Sequence, residues 1–202
     1  MSIKAIVFDL GGVLFKDGKA NAVKKLAKGN NYDERIVMDI LKSPQAIDLR
    51  KGLVSDDDFW KWVQQQLPDG YDALVIKQAW YDGYVLDKGV FNLLIKLHGK
   101  YELVVFSGNI KSRVEYLDKK YGFRKFFNLE VYSYDHHFNK PEKGFFEALI
   151  RKSGLQPQEM IFIDDTEEAV KPAQEFGING LVYETGNIHQ LENDLRNFGI
   201  EF

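Results

Sequence analysis

Four groups of polar residues in this sequence stand where apolar runs end, or in the loops that follow them. Their side chains are a carboxylate, a hydroxyl, a cation and a pair of carboxylates. The groups are Asp9, Ser107-Gly108-Asn109, Lys140 and Asp164-Asp165. Carboxylates attract Mg²⁺, while a hydroxyl and an ammonium group suit phosphate oxygens. Together, the four groups favour chemistry on a phosphate ester.

Five short apolar stretches provide the elements that would position these residues. They cover residues 5–8, 103–106, 129–132, 160–163 and 181–183, and the stretch at 129–132 is the weakest. Continuous apolar runs, without polar alternation, are typical of parallel strands buried on both faces. Because ligands bind at the carboxyl ends of strands in open parallel sheets, we expect the four polar groups to meet at one rim.

Helical patterns separate these stretches, so the sequence predicts an α/β fold with a doubly wound, Rossmann-like parallel sheet. Residues 14–85 carry only helical signals and interrupt the alternation after the first strand. We therefore predict an α/β core of residues 1–13 and 86–202 and an inserted, all-helical cap domain of residues 14–85. A helix ending at Gly177 contains Pro172, and we expect it to start just before that proline.

Each polar group has a chemical role in this interpretation. Mg²⁺ would remove the repulsion between a phosphate dianion and Asp9, and Asp9 could then attack phosphorus to form an aspartyl-phosphate. Lys140 offers a point charge to the phosphoryl oxygens and to nearby carboxylates. The Ser107 hydroxyl and neighbouring backbone N–H groups can donate to oxygens that gain charge in the transition state.

Taken singly, each group has an ordinary structural explanation. An aspartate at a strand end is often a turn or capping residue, and Ser-Gly-Asn is often only a turn. The hypothesis of a catalytic site depends on the combination, since four separate strand ends supply complementary groups in one chain.

The same residues resemble motifs of the haloacid dehalogenase superfamily, most of whose members are phosphatases. The four motif-like segments are residues 8–14 (FDLGGVL), 106–109 (FSGN), 140–141 (KP) and 161–165 (IFIDD). The helical insert resembles the small cap of one subgroup. Within the superfamily, the chain looks most like the glucose-1-phosphate phosphatases and the N-terminal phosphatase domain of soluble epoxide hydrolase.

The resemblance implies a magnesium-dependent phosphatase that hydrolyses small phosphorylated metabolites, with sugar phosphates as one candidate class. It implies Asp9, Ser107 and Lys140 as catalytic residues and a Mg²⁺ shell that includes the Asp9 carboxylate, the Gly11 carbonyl and Asp165. Asp164 would act on the metal through water or would hold Lys140. Phosphate binding would fall to Ser107, Gly108, Asn109 and Lys140, and the cap would select the substrate.

One residue departs from the family pattern. Most family phosphatases carry an aspartate two positions after the nucleophile, where it protonates the leaving group, and this chain has Gly11. General acid–base catalysis contributes roughly 10²–10⁴ in rate, or about 3–5 kcal/mol of barrier. The departure predicts either a preference for leaving groups that are stable as anions or an acid supplied by the cap.

Two other functions remain open at this point. A 2-haloacid dehalogenase also lacks the second aspartate, but such enzymes need no metal and usually lack the paired carboxylates found at Asp164 and Asp165. A catalytically degenerate member that only binds a phosphate ligand is the second alternative.

The composition excludes several other classes. The 202 residues contain no cysteine, which rules out disulfides, thiolate zinc sites and cysteine nucleophiles. The net charge of −3 gives no reason to expect nucleic acid or an anionic membrane as partner. No stretch approaches the roughly 18 apolar residues of a membrane span, and we expect a cytoplasmic protein.

Overall fold

Five strands form one parallel sheet in the computed structural model, which describes residues 2–202. The strands are β1 (Ala5–Phe8), β2 (Glu102–Ser107), β3 (Leu129–Tyr132), β4 (Met160–Asp164) and β5 (Asn179–Val182). Their order across the sheet is β3-β2-β1-β4-β5, and every neighbouring pair is parallel. This arrangement confirms the expected fold class and places β1 at the centre.

The central strand is apolar because both of its faces are covered. All four residues of β1 are fully buried. Successive side chains point to opposite faces, so Ile6 and Phe8 belong to one apolar cluster while Ala5 and Val7 belong to the other. The two clusters hold the sheet between layers of helices.

Five helices follow β1 before the chain returns to the sheet. They are α1 (Gly18–Asn30), α2 (Glu34–Lys42), α3 (Pro44–Arg50), α4 (Asp56–Gln66) and α5 (Ala73–Asp82). Each begins after an aspartate or serine whose side chain accepts a backbone N–H of the first turn, which satisfies a donor that the helix leaves free. These capping residues are Asp17, Asp33, Ser43, Ser55 and Asp72.

The remaining helices alternate with strands and complete the two layers. They are α6 (Lys88–Leu97), α7 (Lys111–Tyr121), α8 (Ser133–His136), α9 (Lys143–Ser153), α10 (Glu167–Glu175) and α11 (Ile188–Asn197). The apolar cluster that contains Phe8 continues from the sheet into the helical insert and includes Trp60 and Trp80. The insert contacts the rest of the protein mainly through α5 against α7 and α3 against α8.

The start of α10 differs from the prediction. The helix begins at Glu167, and Pro172 lies inside it. Proline at that position removes a hydrogen bond to the carbonyl four residues earlier, that of Glu168. Because Glu168 is exposed, water can satisfy this carbonyl.

Among residues 2–202, no helix has both the length and the apolar character needed to cross a bilayer.

Candidate active site

The carboxyl ends of the central strands bring the polar groups together. Asp9 directly follows β1, Ser107 is the last residue of β2, and Asp164 is the last residue of β4. Lys140 reaches them from the loop between α8 and α9. A cavity of about 210 Å³ opens here. Its polar lining includes Asp9, Arg50, Asn139, Lys140, Asp164 and Asp165.

Lys140 is the electrostatic centre of the site. Its Nζ lies 2.9 Å from Asp9 Oδ1 and 2.5 Å from Asp164 Oδ2, and its side chain is only 10% exposed. Burial disfavours the ammonium, but the charges of Asp164 and Asp9 outweigh it and raise the pKa of Lys140. Burial likewise raises the pKa of Asp9, while the charge of Lys140 and a hydrogen bond from Ser107 oppose the rise. Lys140 thus keeps its charge beside the proposed nucleophile.

Asp164 is fully engaged by protein groups. Its Oδ2 accepts from Lys140, and its Oδ1 accepts from the Thr166 amide at 3.0 Å and the Thr166 hydroxyl at 2.7 Å. The residue is 2% exposed. Of the two roles that the resemblance left open for Asp164, these contacts correspond to holding Lys140.

Asp165 has a different environment. It is exposed at the cavity and forms no ion pair within residues 2–202. Partial desolvation, together with the negative charges of Asp9 and Asp164, raises the pKa of Asp165 to about 6. The site therefore holds more carboxylate charge than Lys140 alone balances.

Gly12 allows the loop after β1 to approach Asp165. Its φ is +82°, and a Cβ at this position would lie 2.1 Å from Asp165 Cγ. Only glycine suits both the left-handed backbone and this contact.

Gly11 lies beside Tyr84, the buried residue that follows α5 and Gly83. A Cβ at Gly11 would meet Tyr84 Cε1 at 3.5 Å and Asp9 Oδ2 at 3.9 Å, both ordinary contacts. The backbone at Gly11 would accept a side chain, and an aromatic ring occupies the neighbouring space.

The loop after β2 is braced rather than open. The Asn109 amide donates to Ser133 Oγ at 3.1 Å, and the Asn109 side-chain oxygen accepts from the Ile110 amide and from Arg113 Nε at 2.8 Å. A Cβ at Gly108 would lie 1.9 Å from Asn139 Oδ1, so glycine is needed for this close approach. Ser107 faces Asp9, whereas Asn109 holds the loop.

The side chains of the site offer only part of the ligand set of a divalent cation. Within residues 2–202, no three carboxylate or imidazole side chains converge as a metal site on their own. Asp9 and Asp165 remain, since Lys140 and Thr166 occupy Asp164. Mg²⁺ is usually held by one or two carboxylates together with water and substrate phosphate, so this incomplete set fits Mg²⁺ and does not resemble an all-protein cage.

Comparison with known proteins agrees with this geometry. A sequence model of the haloacid dehalogenase-like hydrolases matches residues 3–177. The chain belongs to the haloacid dehalogenase-like hydrolase family. The match confirms the superfamily and the hydrolase class inferred from the four motifs.

Three similar proteins illustrate the range of this hydrolase family. An uncharacterized protein of Dictyostelium discoideum is 38% identical and covers 94% of this chain and 95% of its own length. A D-ribitol-5-phosphate phosphatase of Bacteroides thetaiotaomicron is 25% identical and covers 91% of this chain and 93% of its own length. An enzyme of the family from the same bacterium was crystallised with magnesium and inorganic phosphate. Its structure matches this one with a TM-score of 0.79 and 27% identity, over 92% of this chain and 96% of the other.

Some residues at the site of this hydrolase had no clear signal in the sequence. Thr166 could have been recognised from its place directly after the carboxylate pair, where a hydroxyl often bonds back to an aspartate. Tyr84 had no such signal, because its contact with Gly11 joins segments far apart in the chain. Arg50, which the sequence had suggested as a contact to a second substrate anion, lines the cavity from the insert.

Proposed function

We propose that this hydrolase is a Mg²⁺-dependent phosphatase of small phosphorylated metabolites that works through an aspartyl-phosphate on Asp9. One observation carries the proposal. Lys140 contacts both Asp9 and Asp164, while Asp165, on the same cavity, has no cationic partner within residues 2–202. The charges of such a site suit the binding of one cation and one anion.

The Asp9 carboxylate, the Gly11 carbonyl and Asp165 would hold the metal ion. Bound there, Mg²⁺ supplies the positive charge that offsets repulsion between the carboxylates and the phosphate oxygens. We assign Asp164 to Lys140, because both of its oxygens are occupied by Lys140 and Thr166.

The chain's own groups account for the two chemical steps. A carboxylate oxygen of Asp9 attacks phosphorus, and the bond from phosphorus to the leaving oxygen breaks with its electron pair on that oxygen. Water then attacks the same phosphorus, and Asp9 leaves as a carboxylate with release of inorganic phosphate. Lys140 and the Ser107 hydroxyl stabilise negative charge on the transferring group.

The leaving oxygen needs a proton, and Gly11 has no side chain that could donate one. The ring of Tyr84 adjoins Gly11, and the carboxylate beside it is that of Asp9, the proposed nucleophile. We propose that this phosphatase favours leaving groups that are stable as anions, such as anomeric sugar or acyl phosphates. We also assign residues 14–85 as its cap, the unit that covers the cavity and selects the substrate.

A phosphate-release assay over sugar, nucleotide and acyl phosphates, with Mg²⁺ or EDTA, tests the function. We expect release that requires Mg²⁺ and that Asp9→Asn reduces to background, whereas Asp69→Asn, an exposed aspartate of the insert, leaves it unchanged. Gly11→Asp should raise turnover of substrates with poor leaving groups, by up to about 10²-fold.

Other outcomes would support the alternatives. Halide release from 2-haloacids that persists in EDTA would indicate a dehalogenase. Binding of Mg²⁺ and inorganic phosphate without turnover of any substrate would indicate a degenerate, ligand-binding member.

A further inference from the structure

Three basic side chains lie near one another close to Tyr84, and one of them, Arg50, lines the cavity. We call Lys19, Arg50 and Arg113 the cation cluster. The Arg113 guanidinium lies 4.2 Å from the Tyr84 ring centre, and α1 packs so closely on that ring that a Cβ at Gly18 would come within 2.0 Å. Lys19 is the next residue of α1, and Arg50 lines the cavity together with Asp9. The cluster is thus contiguous with the phosphate site.

Asp17 offsets only part of the positive charge of the cluster. None of its members forms an ion pair within residues 2–202. The ion pairs at the cavity are those of Lys140 with Asp9 and Asp164. The hydrogen bonds of the two guanidinium groups go to neutral acceptors, from Arg50 Nε to the Ala46 carbonyl and from Arg113 Nε to Asn109. Arg113 is 1% exposed, and its Nη1 has no hydrogen-bond partner among residues 2–202. Buried cations normally have an anionic partner.

The electrostatic cost of this arrangement is visible in the groups themselves. Burial and the charges of Arg50 and Arg113 lower the pKa of Lys19 to about 8, although Asp17 opposes the shift. Burial and the charge of Arg113 also lower the pKa of Arg50. An anion placed between these groups would relieve both effects.

Arg50 is held in place relative to the phosphate site. Its carbonyl accepts a 2.5 Å hydrogen bond from Ser133 Oγ, and the next carbonyl, of Lys51, lies 2.9 Å from His137 Nδ1. Lys51 Nζ also pairs with Glu142 at 2.5 Å. Since Ser133, His137 and Glu142 flank Lys140 in the chain, the segment that positions Lys140 also anchors Arg50.

From this juxtaposition, and on the basis of the function proposed above, we propose that the cation cluster binds a second anionic group of the substrate. The substrate would carry its transferable phosphate against Lys140 and a carboxylate or second phosphate against Arg50 and Lys19. The cavity of about 210 Å³ is smaller than typical ligand pockets of roughly 300–1,000 Å³ and includes Arg50 in its lining, so a short tail on the substrate would reach Arg50.

Binding of non-hydrolysable phosphonates tests the cluster without relying on turnover. The probes are an alkylphosphonate and an ω-carboxyalkylphosphonate of equal chain length, measured by calorimetry with Mg²⁺. We expect the carboxylate to tighten binding to the wild-type protein by about 10- to 100-fold, as for charge-assisted hydrogen bonds. The ratio should fall toward one in Arg50→Gln and in Lys19→Gln.

Lys24→Gln is the matched control, because it removes the same charge from the exposed side of α1 and should keep the wild-type ratio. Circular dichroism checks that each variant is folded. The proposal is overturned if the wild-type ratio is near one, or if both cluster variants keep the wild-type ratio.

Turnover then identifies the anion and separates the two proposals. Phosphate release is compared among a phosphooxy carboxylate, a bisphosphate and a phosphoalcohol of the same length. Faster release from the carboxylate or the bisphosphate identifies the preferred tail, and equal release from all three contradicts the cluster's role. If none releases phosphate while the phosphonate ratio holds, the proposed phosphatase activity fails and the anion site remains.

Discussion

The two ends of the cavity are unbalanced in opposite senses. At the phosphate end, Lys140 faces Asp9, Asp164 and Asp165, so negative charge is in excess. At the insert end, the cation cluster has no ion-pair partner among residues 2–202, so positive charge is in excess. Charges that stay uncompensated in a partly buried place cost stability. Keeping them apart leaves one end suited to a metal ion and the other to an anion.

Removing Lys140 should have the largest effect on this contrast. Lys140→Gln leaves Asp9 and Asp164 without their shared cation, and we expect phosphate release to fall by about 10²–10³-fold, as when an oxyanion donor is removed. Lys143→Gln, an exposed lysine of α9, is the control and should retain activity. Steady-state kinetics at saturating Mg²⁺ measures both, and a loss of only a few-fold would contradict a direct role for Lys140.

The close contact between Gly12 and Asp165 gives a more moderate prediction. Gly12→Ala would force Asp165 away, and we expect the Mg²⁺ concentration for half-maximal activity to rise by about tenfold, as for other changes around metal ligands. Gly122→Ala has the same kind of backbone strain, at φ +62°, but nothing within 4 Å.

Both of these glycine variants should lose about 1 kcal/mol of unfolding free energy, measured in urea, because alanine is strained at positive φ. Only Gly12→Ala should change the Mg²⁺ requirement. Identical Mg²⁺ titrations for the two variants would show that the loop does not position Asp165.

The smallest expected effect is a pH dependence at the insert end. Lys19 is charged below its pKa of about 8, where Arg50, Arg113 and Lys42 repel it and Asp17 attracts it. The preference for the carboxylate-tailed phosphonate should therefore be greatest below pH 8 and should decline by a few-fold above it. Because a bound anion stabilises the charged lysine, the decline should occur somewhat above the pKa of the free protein.

Lys19→Gln provides the comparison for this pH profile, measured by calorimetry between pH 6.5 and 9.5. Its ratio of the two affinities should be lower than the wild-type ratio below pH 8 and should not change near pH 8, and the wild-type ratio should approach it at high pH. A wild-type ratio that is constant across this range would show that Lys19 does not contribute to anion binding. The contribution of Arg50 is tested separately by Arg50→Gln.

Much of the fold was predictable, because burial on both faces of a sheet requires continuous apolar strands. The same requirement made the strand ends visible, and with them Asp9, Ser107 and Asp164. The start of α10 was predicted wrongly, since Glu168 is an exposed residue and water can satisfy the carbonyl that Pro172 leaves without a donor. Local sequence does not show which carbonyls reach solvent.

The parallel sheet, the family and the residues at the carboxyl ends of the strands could be predicted from the amino-acid sequence alone. These follow from the periodicity of burial and from short motifs, which are local properties. The folded structure was needed to show that Asp164 binds Lys140, that Asp165 forms no ion pair within residues 2–202, and that the cation cluster lies near Tyr84. Those outcomes depend on distances between segments remote in the chain, and charges interact through space rather than along the sequence.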